Sequence, residues 1–420
     1  MDHEIVPRVL LVAATTGYQT RTFADVARRL GFDLVLATDR CHVLEDPWGD
    51  HAIPVRFEDP HGSRDILAAA GPFDGIAAVA DRPTFLAALA AEALAIPHHS
   101  PAAVTACGDK HLTRRRFQAA GLLVPEFFRV LADSAPEEAV KRAPFPCVLK
   151  PLGLSGSRGV VRANNEKQFL ASFERIHALL RDTSVAALRD EQNRYIQVES
   201  FIEGREFAVE GVVTHGELQV FAIFDKPDPL DGPFFEETIY VTPSRENEEV
   251  QKLIIRTTGS AVHALGLTHG PIHAELRLNR KGPWMLEVAA RPIGGLCARA
   301  LRFEGGMALE ELILRHAVGE DISSARLGDR ASGVMMIPIP KAGIYHGLEG
   351  LEEAASIPGV EDVIITAKEG QKILPLPEGS SYLGFLFARG ESPQQVESAL
   401  RNAHACLDFE IATLLPVVQR

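Results

Sequence analysis

What this 420-residue chain lacks narrows its function first. Its five cysteines (Cys41, Cys107, Cys147, Cys297 and Cys406) are odd in number and scattered, with no C-x-x-C pair. That excludes a disulfide framework and a cysteine-rich zinc site, and it fits a reducing cytoplasm. No apolar run approaches the length of a membrane span. Val9–Ala14 is too short, and lacks the basic flank of a secretory signal, so none is expected. Positive charge is in deficit. Lys and Arg number 43 against 56 Asp and Glu, and the net charge of −13 argues against nucleic acid or an anionic membrane as partner. The turn after the first strand reads Thr15-Thr16-Gly17-Tyr18, so the G-x-G-x-x-G dinucleotide fingerprint is absent there. There is no Walker A G-K-[ST], no G-x-S-x-G nucleophile elbow, and no M-K-M biotin-attachment segment. With 46% hydrophobic and 24% charged residues, the chain has a soluble globular composition. It is too long for one ordinary domain, and two or three are expected.

The first hundred residues alternate in type. Arg8–Ala14, Leu34–Ala37 and Ile76–Ala80 read as strands, while 21–30 and 83–95 read as helices, the first stopped by Gly31. This predicts a parallel sheet with crossover helices over 1–105, whose strand-end loops near Thr16, Asp39 and Asp81 border a site. Pro97–Asp109 reads as a boundary, and Lys110 opens a helix to Ala120. Arg114-Arg115-Arg116 within it read as a solvated face. Lys110 stands at a helix start, where anions are favoured.

Phe145–Val161 reads F-P-C-V-L-K-P-L-G-L-S-G-S-R-G-V-V. A short strand ends in Lys150, a loop with Gly153, Ser155, Gly156, Ser157 and Gly159 follows, and a strand resumes at Val160. Such a loop can fold its N–H groups over phosphates while a lysine supplies charge. In Tyr195–Gly211 a strand ends at Glu199, a turn falls at Glu203-Gly204, and a second strand starts at Glu206. The segment leaving the first strand can offer backbone groups to a purine edge, and Glu206 can accept from ribose hydroxyls.

His269–Gly295 reads H-G-P-I-H-A-E-L-R-L-N-R-K-G-P-W-M-L-E-V-A-A-R-P-I-G-G. His273–Leu278 and Trp284–Ala289 alternate as strands, with a turn over Asn279–Pro283. A hairpin closing near Lys281 sets Glu275 opposite Glu287. Opposed like charges on neighbouring strands repel, and a divalent cation is the simplest remedy. Mg²⁺ is typically held by one or two carboxylates plus phosphate oxygens. Arg291 follows and can meet the same phosphates bidentately, and Gly294-Gly295 let backbone approach a ligand.

Taken in order, Lys110, Lys150 with its glycine loop, Glu199-Ser200-Phe201-Ile202 with Glu206, then Glu275, Glu287 and Arg291 resemble the ATP-grasp superfamily. The resemblance spans roughly residues 1–330. It implies an N-terminal α/β pre-ATP-grasp domain (1–105), a two-lobed α+β ATP-grasp fold (106–330, lid lobe about 140–205) and a C-terminal unit (331–420). Lys110 and Lys150 look like the phosphate-binding pair. Residues 153–159 look like the closing loop, Glu199 to Ile202 the adenine linker and Glu206 the ribose contact. Glu275 and Glu287 look like ligands for Mg²⁺ (or Mn²⁺), and Arg291 a phosphate or intermediate contact. Many members carry Asn two residues after the second Glu; here that residue is Ala289.

Three further features narrow the resemblance. G-P-I-H-A-E places His273 beside the metal site, and Phe224–Ser244 supplies Glu236 and Glu237 just upstream. The small α/β unit containing Tyr382–Ile411 ends in a helix over 393–407 and an expected strand over Ile411–Val418. Together these resemble the L-amino-acid ligases and their carbamoyl-phosphate-synthase-like relatives. This implies catalytic roles for Lys150, His273 and Arg291. It also implies that Glu237 holds an amino group, and that Arg291, Gly294 and Gly295 contact substrate. The function implied is ATP-dependent, ADP-forming ligation of a carboxylate to an amine through an acyl phosphate. The partners implied are small molecules, with a homodimer as the default assembly. A nucleotide-precursor ligase or carboxylase of the same fold, or a regulatory ATP-binding protein without turnover, are the alternatives.

Overall fold

The computed structural model of the chain describes residues 6–14, 19–39 and 52–413. The Thr15–Tyr18 turn, Cys41 and the distal part of the expected Ile411–Val418 strand lie outside the described residues. The N-terminal unit is the expected parallel sheet. Its strands β1 (Arg8–Ala13), β2 (Asp33–Thr38), β3 (Ile53–Pro54) and β4 (Gly75–Val79) lie in the order β3-β2-β1-β4. Val9 to Ala13 are fully buried, which is why β1 is an unbroken apolar run. Helices α1 (Thr20–Leu30), α2 (Pro60–Ala70) and α3 (Asp81–Leu94) cover it. α1 ends where Gly31 takes the left-handed conformation. β3 and α2 were not expected from the sequence.

Pro97–Asp109, read as a boundary, contains a helix, α4 (Pro101–Gly108). Ser100 caps it by accepting from the Ala103 N–H, and Pro101 fits its first turn. α5 (Lys110–Ala119) follows at once, capped by Asp109.

A small antiparallel sheet forms one lobe, with β5 (Phe127–Leu131), β6 (Cys147–Pro151), β7 (Val161–Ala163) and β8 (Tyr195–Ser200) in the order β5-β8-β6-β7. The helix Glu166–Leu180 packs Phe169, Phe173 and Ile176 against Leu149 and Val198 of this sheet. The chain then passes through residues 201–204 into the largest sheet. At Gly204, φ is +125°, and a Cβ there would lie 2.3 Å from the Leu278 carbonyl, so only glycine fits.

The largest sheet has eight strands in the order β13-β12-β9-β10-β11-β14-β18-β16. They are β9 (Arg205–Thr214), β10 (Glu217–Asp225), β11 (Ile239–Thr242), β12 (Gly270–Asn279), β13 (Gly282–Ala289), β14 (Ala331–Ile337), β16 (Val360–Ile365) and β18 (Gly384–Gly390). The last three come from the C-terminal unit. That unit therefore continues the central sheet through the β11–β14 pair. Its remaining strands, β15 (Gly343–Glu349), β17 (Lys372–Ile373) and β19 (Asp408–Ala412), form a three-stranded sheet. The helix Pro393–Cys406 covers β14 and β18 with Val396 and Leu400. Among the described residues no helix is long and apolar enough to cross a membrane.

Candidate active site

A cleft lies between the β5–β8 lobe and the β12–β13 hairpin. Lys110, Lys150, Ser155, Gly156, Ser157, Glu199, Ser200, Phe201, Ile202, Glu206, Glu237, Glu275 and Glu287 all line it. These come from stretches up to 177 positions apart, and the fold brings them together. One end of the cleft is apolar, with Val148, Val160, Phe201 and Phe235 clustered and the Phe201 and Phe235 rings stacked at 6.3 Å. The other end holds lysines and carboxylates. Gly159, His273, Arg291, Gly294 and Gly295 do not line it.

The hairpin register carries the charged end. Asn279 pairs with Gly282, so the turn is Arg280-Lys281 alone, tighter than the Asn279–Pro283 turn expected. A straight ladder from that turn would set Glu275 opposite Leu286. A bulge at Leu286 shifts the register, and Glu275 faces Glu287. The bulged carbonyl of Leu286 accepts from Arg114 Nη1 at 2.7 Å. Among the described residues no hydrogen bond or ion pair engages the Glu287 carboxylate, and burial, then the nearby Glu275 charge, raises its pKa. Two opposed hard carboxylates, one of them unpartnered, fit a divalent cation in their chemistry.

Glu275 is held differently. Lys226 Nζ lies 3.1 Å from it, 2.9 Å from Glu206, and against Glu237. Burial opposes the Glu275 charge, but Lys226 and His273 outweigh it and hold the pKa well below the ordinary range. Burial and then Glu275 push Glu237 up to about 8. His273 sits behind the cleft, with Nδ1 3.0 Å from Glu210 and Nε2 3.4 Å from Glu275. Burial works against its charge, but Glu210 and Glu275 raise its pKa to about 9.

Several predicted residues are committed within the protein. Glu199 is buried, with Arg114 Nε at 2.8 Å, Lys150 Nζ at 2.6 Å and Gln197 Nε2 at 2.6 Å. Its carboxylate orients Lys150. Glu206 pairs with Lys226 and with Arg277 Nε at 2.9 Å. Arg277 also donates to the carbonyls of Ile202 and Leu230. Glu237 accepts from Tyr240 Oη at 2.9 Å. Lys110 donates to the carbonyls of Leu152 and Leu154, so it braces the glycine-rich loop from below. Gly159 is packed against Pro151 and Leu179, and its N–H donates to Pro377.

A second cavity adjoins the first and shares Lys110, Ser155 and Glu287 with it. Arg291 and Ala289 line it, together with Asp39 and Asp81 of the N-terminal unit, so two of the three loops singled out there reach it. A Cβ on Gly295 would press on the Phe385 ring at 3.1 Å.

Arg114 corrects the reading of the Arg114–Arg116 run. It is fully buried, whereas Arg115 is exposed. Burial follows helical spacing: Thr113, Arg114 and Phe117 share the inner face of α5. Sequence reasoning also missed Lys226, Arg277 and Glu210. Glu206 and Glu210 are four apart on β9 and so share a face, a signal that was available. Nothing local marked Lys226.

Family descriptions match three stretches: an ATP-grasp N-terminal domain at 24–98, an ATP-grasp domain at 143–300, and an L-amino acid ligase C-terminal domain 2 at 335–412. The chain belongs to the ATP-grasp superfamily. It is similar to the solved L-amino acid ligase of Bacillus licheniformis, at 27% identity and a TM-score of 0.82 over 97% of this chain and 99% of that one. This ATP-grasp chain is also 26% identical to alanine–anticapsin ligase of Bacillus subtilis (strain 168) over 59% of itself and 55% of that protein. It is 23% identical to the uncharacterized protein y4rH of Sinorhizobium fredii over 76% of itself and 64% of that protein. It thus spans between half and two thirds of the length of these two curated relatives.

Proposed function

We propose that the chain is an ATP-dependent, ADP-forming carboxylate–amine ligase that joins L-amino acids, or an amino acid to another small carboxylic acid. The observation that carries this reading is the cleft itself, apolar and aromatic at one end, with two lysines and the opposed pair Glu275–Glu287 at the other. That polarity suits a purine joined to a polyphosphate. The likeness of the whole chain to an L-amino acid ligase supports the same reading.

In this proposal a substrate carboxylate attacks the γ-phosphate, giving an acyl phosphate and ADP. An amine then attacks the acyl carbon, and phosphate leaves. Phosphoryl transfer asks mainly for alignment and charge. Lys150, aimed by Glu199, and Lys110 face the phosphates. Phe201, Ile202 and Phe235 hold the base. The loop over 153–159 excludes water from the acyl phosphate. Mg²⁺ or Mn²⁺ held by Glu275 and Glu287 would neutralise charge on the phosphate oxygens. Glu237 faces an amino group, and Arg291, Gly294 and Gly295 face the intermediate. His273 backs Glu275. The working division is 1–105, 106–330 and 331–420, in a cytoplasmic protein acting on small molecules as a monomer or homodimer.

Ala289, where many relatives carry Asn, favours the second reading, ATP binding without turnover. One experiment separates the two. Phosphate release from Mg·ATP is measured against amino acids singly and in pairs, with product masses. Release that needs a pair, yields a dipeptide mass and ADP, and vanishes in Glu287→Ala supports the ligase. ATP binding with no release across amino, keto and hydroxy acids supports the regulatory reading.

A further inference from the structure

We propose that Asp81 is a positioning residue that aims Arg291 at an oxyanion subsite in the second cavity, making the N-terminal α/β unit part of the active site. This rests on the ligase reading for the identity of the oxyanion, a substrate carboxylate or acyl phosphate. It does not rest on that reading for the subsite itself.

Asp81 begins α3 at the C-terminal edge of β4, where open parallel sheets present their ligand-facing loops. Its Oδ1 accepts from Arg291 Nε at 2.6 Å and its Oδ2 from Nη2 at 3.3 Å. This side-on pairing fixes the guanidinium plane. Nη1 donates to the Pro292 carbonyl at 3.0 Å. Of the five N–H donors on the guanidinium, two remain for a ligand, and Arg291 lines the cavity that they serve. Lys110 lines the same cavity, as does Ser155, whose side chain hydrogen-bonds Asp81.

The segment after Arg291 is also held from outside β13. The Ile293 N–H donates to Glu210, and its carbonyl accepts from Gln19 of the N-terminal unit at 2.7 Å. Arg291 would otherwise follow a free loop. Asp81 and Gln19 tie that loop to the N-terminal sheet, which explains why a unit without a dinucleotide fingerprint is kept against the cleft.

The test uses the full chain. Calorimetry measures binding of inorganic phosphate to the Mg·ADP complex for wild type, Asp81→Asn, Asp81→Ala, Arg291→Lys and Asp81→Asn/Arg291→Lys. Asp81 is exposed, so its variants should fold. The proposal expects Mg·ADP affinity to be retained while phosphate affinity falls about tenfold in each single variant, the size of one charge-assisted contact. The double variant should fall no further than the singles. Where turnover is measurable, KM for the carboxylate substrate should rise in Asp81→Asn with KM for ATP unchanged. Unaltered phosphate affinity in both Asp81 variants, losses that multiply in the double variant, lost Mg·ADP binding, or no phosphate binding by wild type would each overturn it. Phosphate binding that obeys the expectation, in a wild type with no amino-acid-dependent turnover, would sink the ligase reading and leave the Asp81 role standing.

Discussion

Breaking the Arg114–Glu199 pair should be among the most destabilising conservative changes in the chain. Arg114 is fully buried and joins three things: the Glu199 carboxylate, through it Lys150, and the bulged carbonyl of Leu286. Glu199→Gln keeps the shape and removes the charge, leaving the buried Arg114 and the partly buried Lys150 without their counter-ion. Removing one partner of a buried pair costs about 3–5 kcal/mol. The depressed pKa of Glu199 gives a second figure. Burial opposes the Glu199 charge, yet Arg114 and Lys150 bring its pKa from 4.5 down to about 2. At 1.36 kcal/mol per pK unit, that difference is worth about 3 kcal/mol. A depressed carboxylate adds stability that is fully present above its unfolded pKa of 4.5 and is lost as pH falls through about 2. Urea denaturation of wild type, Glu199→Gln, Arg114→Met and the double variant measures this. Each single variant should lose about 3 kcal/mol at neutral pH, and the double variant much less than their sum. The wild-type advantage over Glu199→Gln should shrink in acid over that window. A loss below about 1 kcal/mol in both singles, or strict additivity, would refute the reasoning.

The remaining expectations are smaller. Glu275→Gln and Glu287→Gln should each weaken Mn²⁺ binding at least about tenfold, followed by electron paramagnetic resonance; unchanged binding by both would remove them as ligands. Lys226→Met leaves Glu206, Glu237 and Glu275 facing one another and should cost about 3–5 kcal/mol in denaturation, with an unaffected midpoint counting against the cluster's importance. His273 has a raised pKa, so its contribution is fully present below its unfolded value of 6.5 and is lost as pH rises through about 9. The melting temperatures of wild type and His273→Gln should therefore converge above that pH, and a constant gap would contradict the assignment. Glu378 tethers the glycine-rich loop, since its carbonyl accepts from Arg158 Nε at 2.9 Å and its carboxylate pairs with Arg175. Glu378→Ala keeps that carbonyl but releases residue 378 from Arg175, and should speed tryptic cleavage after Arg158 without altering global unfolding; equal cleavage rates would exclude a part for the carboxylate in the tether.

Local pattern alone determined much of this protein. Buried apolar runs gave the parallel N-terminal strands, glycine stopped α1, and alternation located β12 and β13. These signals are legible because strand and helix periodicity place side chains on faces before any tertiary contact exists. The glycine-rich loop and the ordered lysines and glutamates were legible for the same reason, as composition at fixed spacing. Tertiary structure alone decided the rest. Glu275 stands opposite Glu287 as the sequence predicts, but through a bulge at Leu286 that local pattern did not show; the two-residue turn by itself would have set Glu275 against Leu286. Arg114 was read as solvated and is buried, because its partner lies 85 positions away. Lys226 gathers three carboxylates from three strands or loops, and no spacing in the sequence encodes that meeting. The C-terminal strands join the central sheet because β11 offers an edge to β14. In each case the deciding energy is the pairing of buried polar groups, backbone or side chain, which depends on distance in space and leaves no period in the chain.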